Sequence, residues 1–424
     1  MPAVPSEIEH RSRIFSWTLF DFANTAFSVI IVTVIYSRYF TNHVAGGQHW
    51  LWGFAVSLSM ICAALLSPPL GAAADSSRNR KRFLFIFTAA SIACTALLFF
   101  VRDGMIVTGV LLFVIANIGF EGGLVFYDAF LPGLTPKHTY GRVSGYGFAM
   151  GYLGALAVLL IVDFMLPDPA NPAYLFFVRL SFVVAAGFFL LFSLPMFLFV
   201  PEPHREVSMS TSYIKDGFTR AKETFRALFV RREYPDIARF LIAFFIYNDG
   251  ILTVIAFAAI FAEHILHMSD KDIIIFFAVV QTSAVAGSIL FGIITDAIGP
   301  KRTISMTLFL WIGISVGAFF VQTVMEFYLV AMVAGIAIGS SQSASRCLMA
   351  ILTPKEREAE FFGFYDGLCG KASAVVGPMV YGIIADVTSE RVAALSIALF
   401  FLAGLFVLQG VPDRWRKPIP APAA

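Results

Sequence analysis

The chain has 424 residues, 58% of them hydrophobic and 14% charged, and its mean hydropathy is +0.80. These values lie far outside those of soluble domains and mark a membrane protein. A formal net charge of +2 gives no electrostatic reason to expect a nucleic-acid partner.

A spanning helix needs about 20 mostly apolar residues. Twelve such runs follow one another, near 14–37, 50–73, 83–101, 105–131, 143–166, 174–200, 237–262, 272–295, 303–321, 324–350, 361–385 and 391–411. Their length predicts helices and excludes a barrel. The first run follows Arg11 and Arg13 but carries no small-residue cleavage pattern, so a retained helix is expected rather than a signal peptide. After the sixth run the sequence turns polar and basic from Pro201-Glu202-Pro203 to Asp236. This predicts an N-terminal six-helix bundle over 1–200, a cytoplasmic linker over 201–236, and a C-terminal bundle with a short tail over 237–424. Within the linker, Ile214, Phe218, Ala221, Phe225, Leu228 and Phe229 recur at helical spacing, with Lys215, Arg220, Lys222 and Arg226 on other faces. An amphipathic helix on an anionic leaflet has this pattern, and so does a solvated linker helix without regulatory role.

The other connections leave no room for a soluble catalytic domain of even about 50 residues. No nucleophile–base pair or metal cluster stands at diagnostic spacing, so neither an enzyme nor a cofactor is expected. Cys62, Cys94, Cys347 and Cys369 fall in spans and read as small apolar residues, and His264 and His267 are too isolated to argue for a metal.

The basic residues set the orientation. Of the 30 Lys and Arg, only Arg38, Arg102, Lys271 and Arg391 fall outside when the N-terminus is placed in the cytoplasm. Clusters such as Arg78/Arg80/Lys81/Arg82 and Arg414/Arg416/Lys417 then lie inside, and both termini are expected to be cytoplasmic. Arg179, Arg346 and Lys371 remain within spans and need reasons. Short outer loops without an Asn-x-Ser/Thr sequon favour a bacterial inner membrane, with a vacuolar membrane as the alternative.

Fragments recur at a slowly drifting offset. Gly71 to Arg82 (GAAADSSRNRKR) is a degenerate twin of Gly292 to Arg302 (GIITDAIGPKR). Asp75 pairs with Asp296, Asp21 with Asp249, Thr135-Pro136-Lys137 with Thr353-Pro354-Lys355, and Gly147/Gly151/Gly154 with Gly363/Gly367/Gly370. Two related halves of six spans in the same order describe the major facilitator architecture, whose substrate cavity lies between the halves. The fold expected is therefore all-α, with 12 transmembrane helices in two parallel six-helix repeats. In the signature loops, Gly71 and Gly292 allow close helix approach, and Asp296 sits where a helix N-terminus or an Arg can hold it. Lys301 and Arg302 mark the cytoplasmic face. These residues and Asp75 read as a gate, with topology setting as the bland alternative. The glycine stripes read as packing, and Pro132, Pro195 and Pro378 as helix bends or ends.

A charge at a helix centre costs about 2.5–3.5 kcal/mol on insertion scales, so buried charges must face a cavity or one another. The candidates are Asp21 and Asn24 in the first span, Glu121 and Asp128 in the fourth, Asn248 and Asp249 in the seventh, Arg346 in the tenth, and Asp366 with Lys371 in the eleventh. Asn117, Glu121 and Asp128 share one helical face. Desolvation raises the proton affinity of carboxylates, which makes Glu121, Asp128, Asp249 and Asp366 proton-coupling candidates. The competing reading makes Asp21, Asp128 and Asp249 structural, paired with Arg346, Lys371 or helix ends. Asp366 and Lys371 at i, i+5 are poorly aligned on an α-helix, so a partner for Lys371 is expected on another helix. Gln342 and Arg346, one turn apart, can both hydrogen-bond a carboxylate, although snorkelling to the cytoplasmic surface explains Arg346 almost as well. Asp21, Asn24, Asn248, Gln342, Arg346 and Lys371 form the expected substrate site.

The strings WTLFDFANTAFS at Trp17, VFYDAFLPGLTP at Val125, GRVSGYGFAMGYLGAL at Gly141, GSSQSASRCLMAILTP at Gly339 and FFGFYDGLCGKASAVVGP at Phe361 together resemble the vacuole-effluxer-like family of major facilitators over nearly the whole chain. The resemblance implies the fold strongly and the cargo poorly. The family takes its name from a fungal vacuolar protein implicated in exporting amino acids, and it marks Asp21, Asn24, Asp128, Gln342, Ser345, Arg346, Gly370, Lys371 and Pro378. Two departures stand out. Asp128 replaces a common Asn, and Asp366 occupies a usually uncharged position.

The leading expectation is a monomeric secondary transporter that exports a small organic solute such as an amino acid or similar zwitterion, with protons as the candidate coupling ion and the bilayer as its other partner. Export of amphipathic drugs, lipid handling and a non-transporting sensor are the alternatives.

Overall fold

Apolar runs in a medium without water must satisfy their own backbone N–H and C=O groups, and helices do this locally. The computed structural model describes residues 7–202, 213–268, 270–413 and 415, with the side chains of Glu7, Ile8, Ile214, Asp270, Lys271 and Ile274 excepted. The expectations for Pro203, for the Ile214 and Lys271 side chains, and for the basic tail with Arg414, Arg416 and Lys417 lie outside the described residues.

Among the described residues all regular structure is helical. Six long helices come first: α1 (Glu9–Val44), α2 (His49–Ser77), α3 (Arg80–Phe100), α4 (Ile106–Asp128), α5 (Lys137–Met165) and α6 (Tyr174–Phe199). The linker helix α7 (Tyr213–Phe229) follows. Then come α8 (Pro235–Leu266), α9 (Asp270–Ile298), α10 (Pro300–Phe320) and α11 (Val324–Leu352). Next stand α12 (Glu358–Phe362), a π-helical stretch Gly363–Gly370, α13 (Val376–Val387) and α14 (Glu390–Gln409). Among the described residues, eleven helices are long and apolar enough to cross a membrane. The remaining span, eleventh in chain order, is the composite of α12, the π-helical stretch and α13.

That composite corrects the expected continuous helix over 361–385. The chain opens at Ser373–Val375, and α13 starts anew at Val376. Pro378 explains the break, since it lacks an N–H and its ring clashes with the carbonyl four residues earlier. The first span is longer than its expected 14–37, because the helical path continues through π-helical turns at Ser28–Val34 and Phe40–Val44. At the start of α11, Thr323 and Glu326 cap one another's backbone N–H groups as a capping box.

The helices form two compact units. The first draws on Met1–Thr135, Met150–Ala221 and Lys355–Lys371, the second on Pro136–Ala149, Lys222–Pro354 and Ala372–Ala424. Each unit thus takes in one segment from the other sequence repeat. In the first unit α1 packs along α6, α3 along α4, and α2 against α12 and the π-helical stretch. In the second, α9 and α10 pack along α11, and α8 along α14.

Candidate functional site

The two signature loops build the same device, once in each unit. In the second unit Asp296, at the end of α9, accepts the backbone N–H of Gly141 at 2.8 Å and that of Arg142 at 3.3 Å. The Arg142 guanidinium adds an ion pair at 2.5 Å. In the first unit Asp75, at the end of α2, accepts the N–H of Ala359 at 3.2 Å and of Glu360 at 2.8 Å, with Arg80 at 2.7 Å. Gly141 and Ala359 are equivalent in the repeat, as are Arg142 and Glu360, so one carboxylate caps one helix start in each half. Close approach is what the glycines permit. A Cβ on Gly292 would lie 2.9 Å from the Gly141 carbonyl oxygen, and one on Gly71 would strike the Ala359 carbonyl. Arg80 also binds the carboxylate of Glu358 and the carbonyl of Ala129. The degenerate first loop replaces the second motif's Gly299, at φ 96°, with other means: Arg78 itself adopts φ 55° to end α2. Lys301 and Arg302, grouped with the gate in the sequence, reach to the end of α14, at the Gln409 carbonyl and at Asp413, each at 2.9 Å.

Deeper in the first unit, Lys371, its side chain 14% exposed, meets the buried Glu121 carboxylate of α4. Asp366 lies 3.7 Å from the same ammonium, and Asp128 is within electrostatic range. The partner on another helix is as expected, but the i, i+5 pair forms as well. The reason is local: i→i+5 bonding in a π-helical stretch brings residues five apart to one side. Carboxylates therefore outnumber the ammonium. Near them on α4, Asn117 donates to Ser59 at 2.8 Å while its carbonyl oxygen is buried without a partner, as is the amide nitrogen of Asn24. Asp21 accepts the Tyr127 hydroxyl at 2.7 Å, and Tyr127 is stacked on Trp17 with ring centroids 4.5 Å apart.

The second unit holds a separate polar cluster. Asn248 donates to Ser373 at 2.7 Å, and its carbonyl oxygen is buried without a partner. Tyr247 and Ser345 share a hydrogen bond of 2.7 Å. Asp249 accepts the Gly377 N–H with both oxygens at 2.9 Å. It caps the restarted helix α13, the helix-end role among its two expected ones. Arg346 is 2% exposed, which rules out snorkelling. Its Nε donates to Ser144 Oγ at 2.9 Å, Nη2 to the Ser144 carbonyl at 2.7 Å, and its guanidinium lies 4.1 Å from the Phe148 ring centroid. Gln342, one turn before it, is half-buried. Arg179, left without a reason in the sequence, donates to the Leu175 carbonyl beside Phe99.

The structure thus gathers Glu121, Asp366 and Lys371, and sets Asp249 on the Gly377 N–H and Arg346 against Ser144 and Phe148. Sequence reasoning missed Tyr127, Ser144, Phe148, Arg142, Arg220, Glu358 and Glu360. Tyr127, Arg142, Ser144 and Phe148 sit inside the quoted strings, which was the available signal. Arg220, Glu358 and Glu360 carried none, because they only acquire meaning when α2, α7 and α12 meet.

The model of the family described as vacuole effluxer Atg22-like matches residues 52–416. The chain is 29% identical over 413 residues to the uncharacterized MFS-type transporter YxiO of Bacillus subtilis, covering 94% of each chain. It is 24% identical over 453 residues to autophagy-related protein 22 of Yarrowia lipolytica, covering 86% of this chain and 76% of that one. Among solved structures it is similar to the MFS proton:xylose symporter XylE, with a TM-score of 0.75, 16% identity and 97% of each chain covered. The fucose:proton symporter FucP of E. coli superposes with a TM-score of 0.74, 14% identity and coverage of 96% and 99%. At such identities the structural likeness shows the fold, which is that of the major facilitators.

Proposed function

From the premise that this chain belongs to the vacuole effluxer Atg22-like family and is a multi-pass transporter of the major facilitator superfamily, we propose that it exports a small zwitterionic solute, of which an amino acid is the simplest case, in exchange for protons. The observation that carries this reading is the buried cluster in which Glu121 and Asp366 meet the single ammonium of Lys371.

An excess of buried carboxylate is costly and is relieved by any added positive charge. A proton on Glu121 or Asp366 supplies it, and so does the ammonium of a cargo. Because both neutralise the same groups, they compete, and competition for one site is what drives two species in opposite directions through an alternating-access cycle. When the cargo's ammonium pairs with Glu121 in place of the proton, Lys371 is released from that residue and holds the cargo's carboxylate. The gate at Asp75 and Asp296 is proposed to hold one access state. A bacterial plasma membrane suits the Bacillus relative, and a vacuolar membrane the fungal ones.

A thermal-shift screen of the purified protein against amino acids, dipeptides, nucleosides and drugs tests the reading. A ligand at a hundred times its dissociation constant adds about 2.7 kcal/mol. Stabilisation by a zwitterion, lost in Lys371→Ala, is expected. Stabilisation by apolar drugs or lipids alone would count against it.

A further inference from the structure

The linker helix α7 has two unlike sides. On one, Gly217, Ala221, Thr224 and Leu228 are buried at helical spacing, and Gly217 lies against Pro69 and Ala73 at the end of α2. Arg220, flanking that side, donates to Ser76 at 2.9 Å and pairs with Glu360 at 3.0 Å. Glu360 is fully buried, and its own N–H is the one that Asp75 holds at 2.8 Å. Arg220 thus links the helix to the start of α12, where Arg357 also pairs with Glu360 at 2.9 Å.

On the other side, Phe218 and Phe225 are about half exposed, and the Phe225 and Phe229 rings are 5.0 Å apart. With 100° between successive residues, the stripe of Phe218, Phe225 and Phe229 borders a stripe of Lys215, Lys222 and Arg226, the two covering about a third of the circumference. These three cations are exposed and make no ion pair among the described residues, while Asp216 and Glu223 are segregated to the far flank. Aromatic side chains beside free cations, at the level where α2 ends, match the interfacial zone of a bilayer with anionic headgroups.

We propose that α7 is a lipid-reading lever: its aromatic and basic stripes seat on anionic phospholipid, and Arg220 transmits that seating to the helix start held by Asp75. The occupant is a leaflet, argued from charge complementarity and from the position of α7 at the end of a span. Neutral lipid leaves the cations without partners and the helix less firmly placed, so the Glu360 contact forms less often.

Hydrogen exchange of the full-length protein in nanodiscs reads both ends of the lever without knowledge of the cargo. In discs of phosphatidylcholine with phosphatidylglycerol, against phosphatidylcholine alone, exchange is expected to slow at least threefold at residues 213–229 and at 355–362. Lys222→Ala with Arg226→Ala is expected to abolish both effects. Arg220→Gln should keep the first and lose the second, and Arg220→Lys should restore part of it. Equal exchange in the two lipids overturns the proposal, and so does a lipid effect at 355–362 that persists in Arg220→Gln.

Discussion

Asp75 takes the backbone N–H of Glu360 in the same way that Asp296 takes that of Arg142. The two bonds join equivalent positions of the two sequence repeats, and each ties a residue of one repeat to a helix start of the other. Duplication has preserved the capping geometry while the surrounding charges diverged: Arg142 is itself the ion-pair partner of Asp296, whereas Arg80 serves Asp75.

Removing the charge from either cap should loosen the helix start it holds. Hydrogen bonds to charged groups are worth about 1.5–3 kcal/mol, so Asp75→Asn is expected to speed amide exchange at 358–362 by about tenfold or more, and Asp296→Asn to do so at 140–144. Each effect should stay in its own unit. Exchange unchanged at both segments would remove the caps from the gate.

Bulk at the glycines should act more severely. A Cβ at Gly292 already approaches the Gly141 oxygen to 2.9 Å and the Arg142 Cα to 3.2 Å, both of them backbone atoms with little room to yield. Gly292→Val is expected to cost about 1–3 kcal/mol by overpacking and to lower the unfolding temperature, whereas Gly313→Ala, with nothing within 4 Å, should cost no more than the change of residue itself.

The buried ion pair predicts a non-additive cycle. Lys371→Met strands Glu121 and Asp366 and should destabilise by about 3–5 kcal/mol, as broken buried pairs do. Adding Glu121→Gln should recover part of that loss, because fewer charges are left unpaired. Additive losses in thermal unfolding would show that the two side chains do not act as a pair.

The spans, their order and the two signature loops were legible in the sequence because each depends on local apolar length and on spacing within one helix. The break in the eleventh span was signalled by Pro378 but hidden by the apolar residues around it. The i, i+5 pair of Asp366 and Lys371 was ranked below a partner on another helix, which also forms, because nothing in Gly363–Gly370 announces a π-helical stretch, here packed on α2. Glu121 was legible as a buried acid, and its partner was not, since a tertiary contact across 250 residues leaves no periodic trace. Arg346 was read as a carboxylate ligand or a snorkelling side chain, and its contacts with Ser144 and Phe148 depend on a meeting of two helices that leaves no sequence pattern.

Asp249 should behave as a structural residue. With both oxygens on the Gly377 N–H, Asp249→Ala is expected to cost about 0.5–2 kcal/mol, the worth of a helix cap, and to open Val376–Gly377 to faster exchange, whereas Asp249→Asn keeps an acceptor and most of the cap. The effect of each on any proton-driven transport should be in proportion to the stability it loses. Full uncoupling in a stable Asp249→Asn protein would contradict this assignment.

The proposed exchange rests on Glu121, and transport in proteoliposomes loaded with the stabilising zwitterion measures it most directly. An imposed pH gradient should accelerate export by the wild type, while Glu121→Gln should still exchange labelled for unlabelled cargo but gain nothing from the gradient. Gradient-driven export in Glu121→Gln equal to that of the wild type would contradict the account.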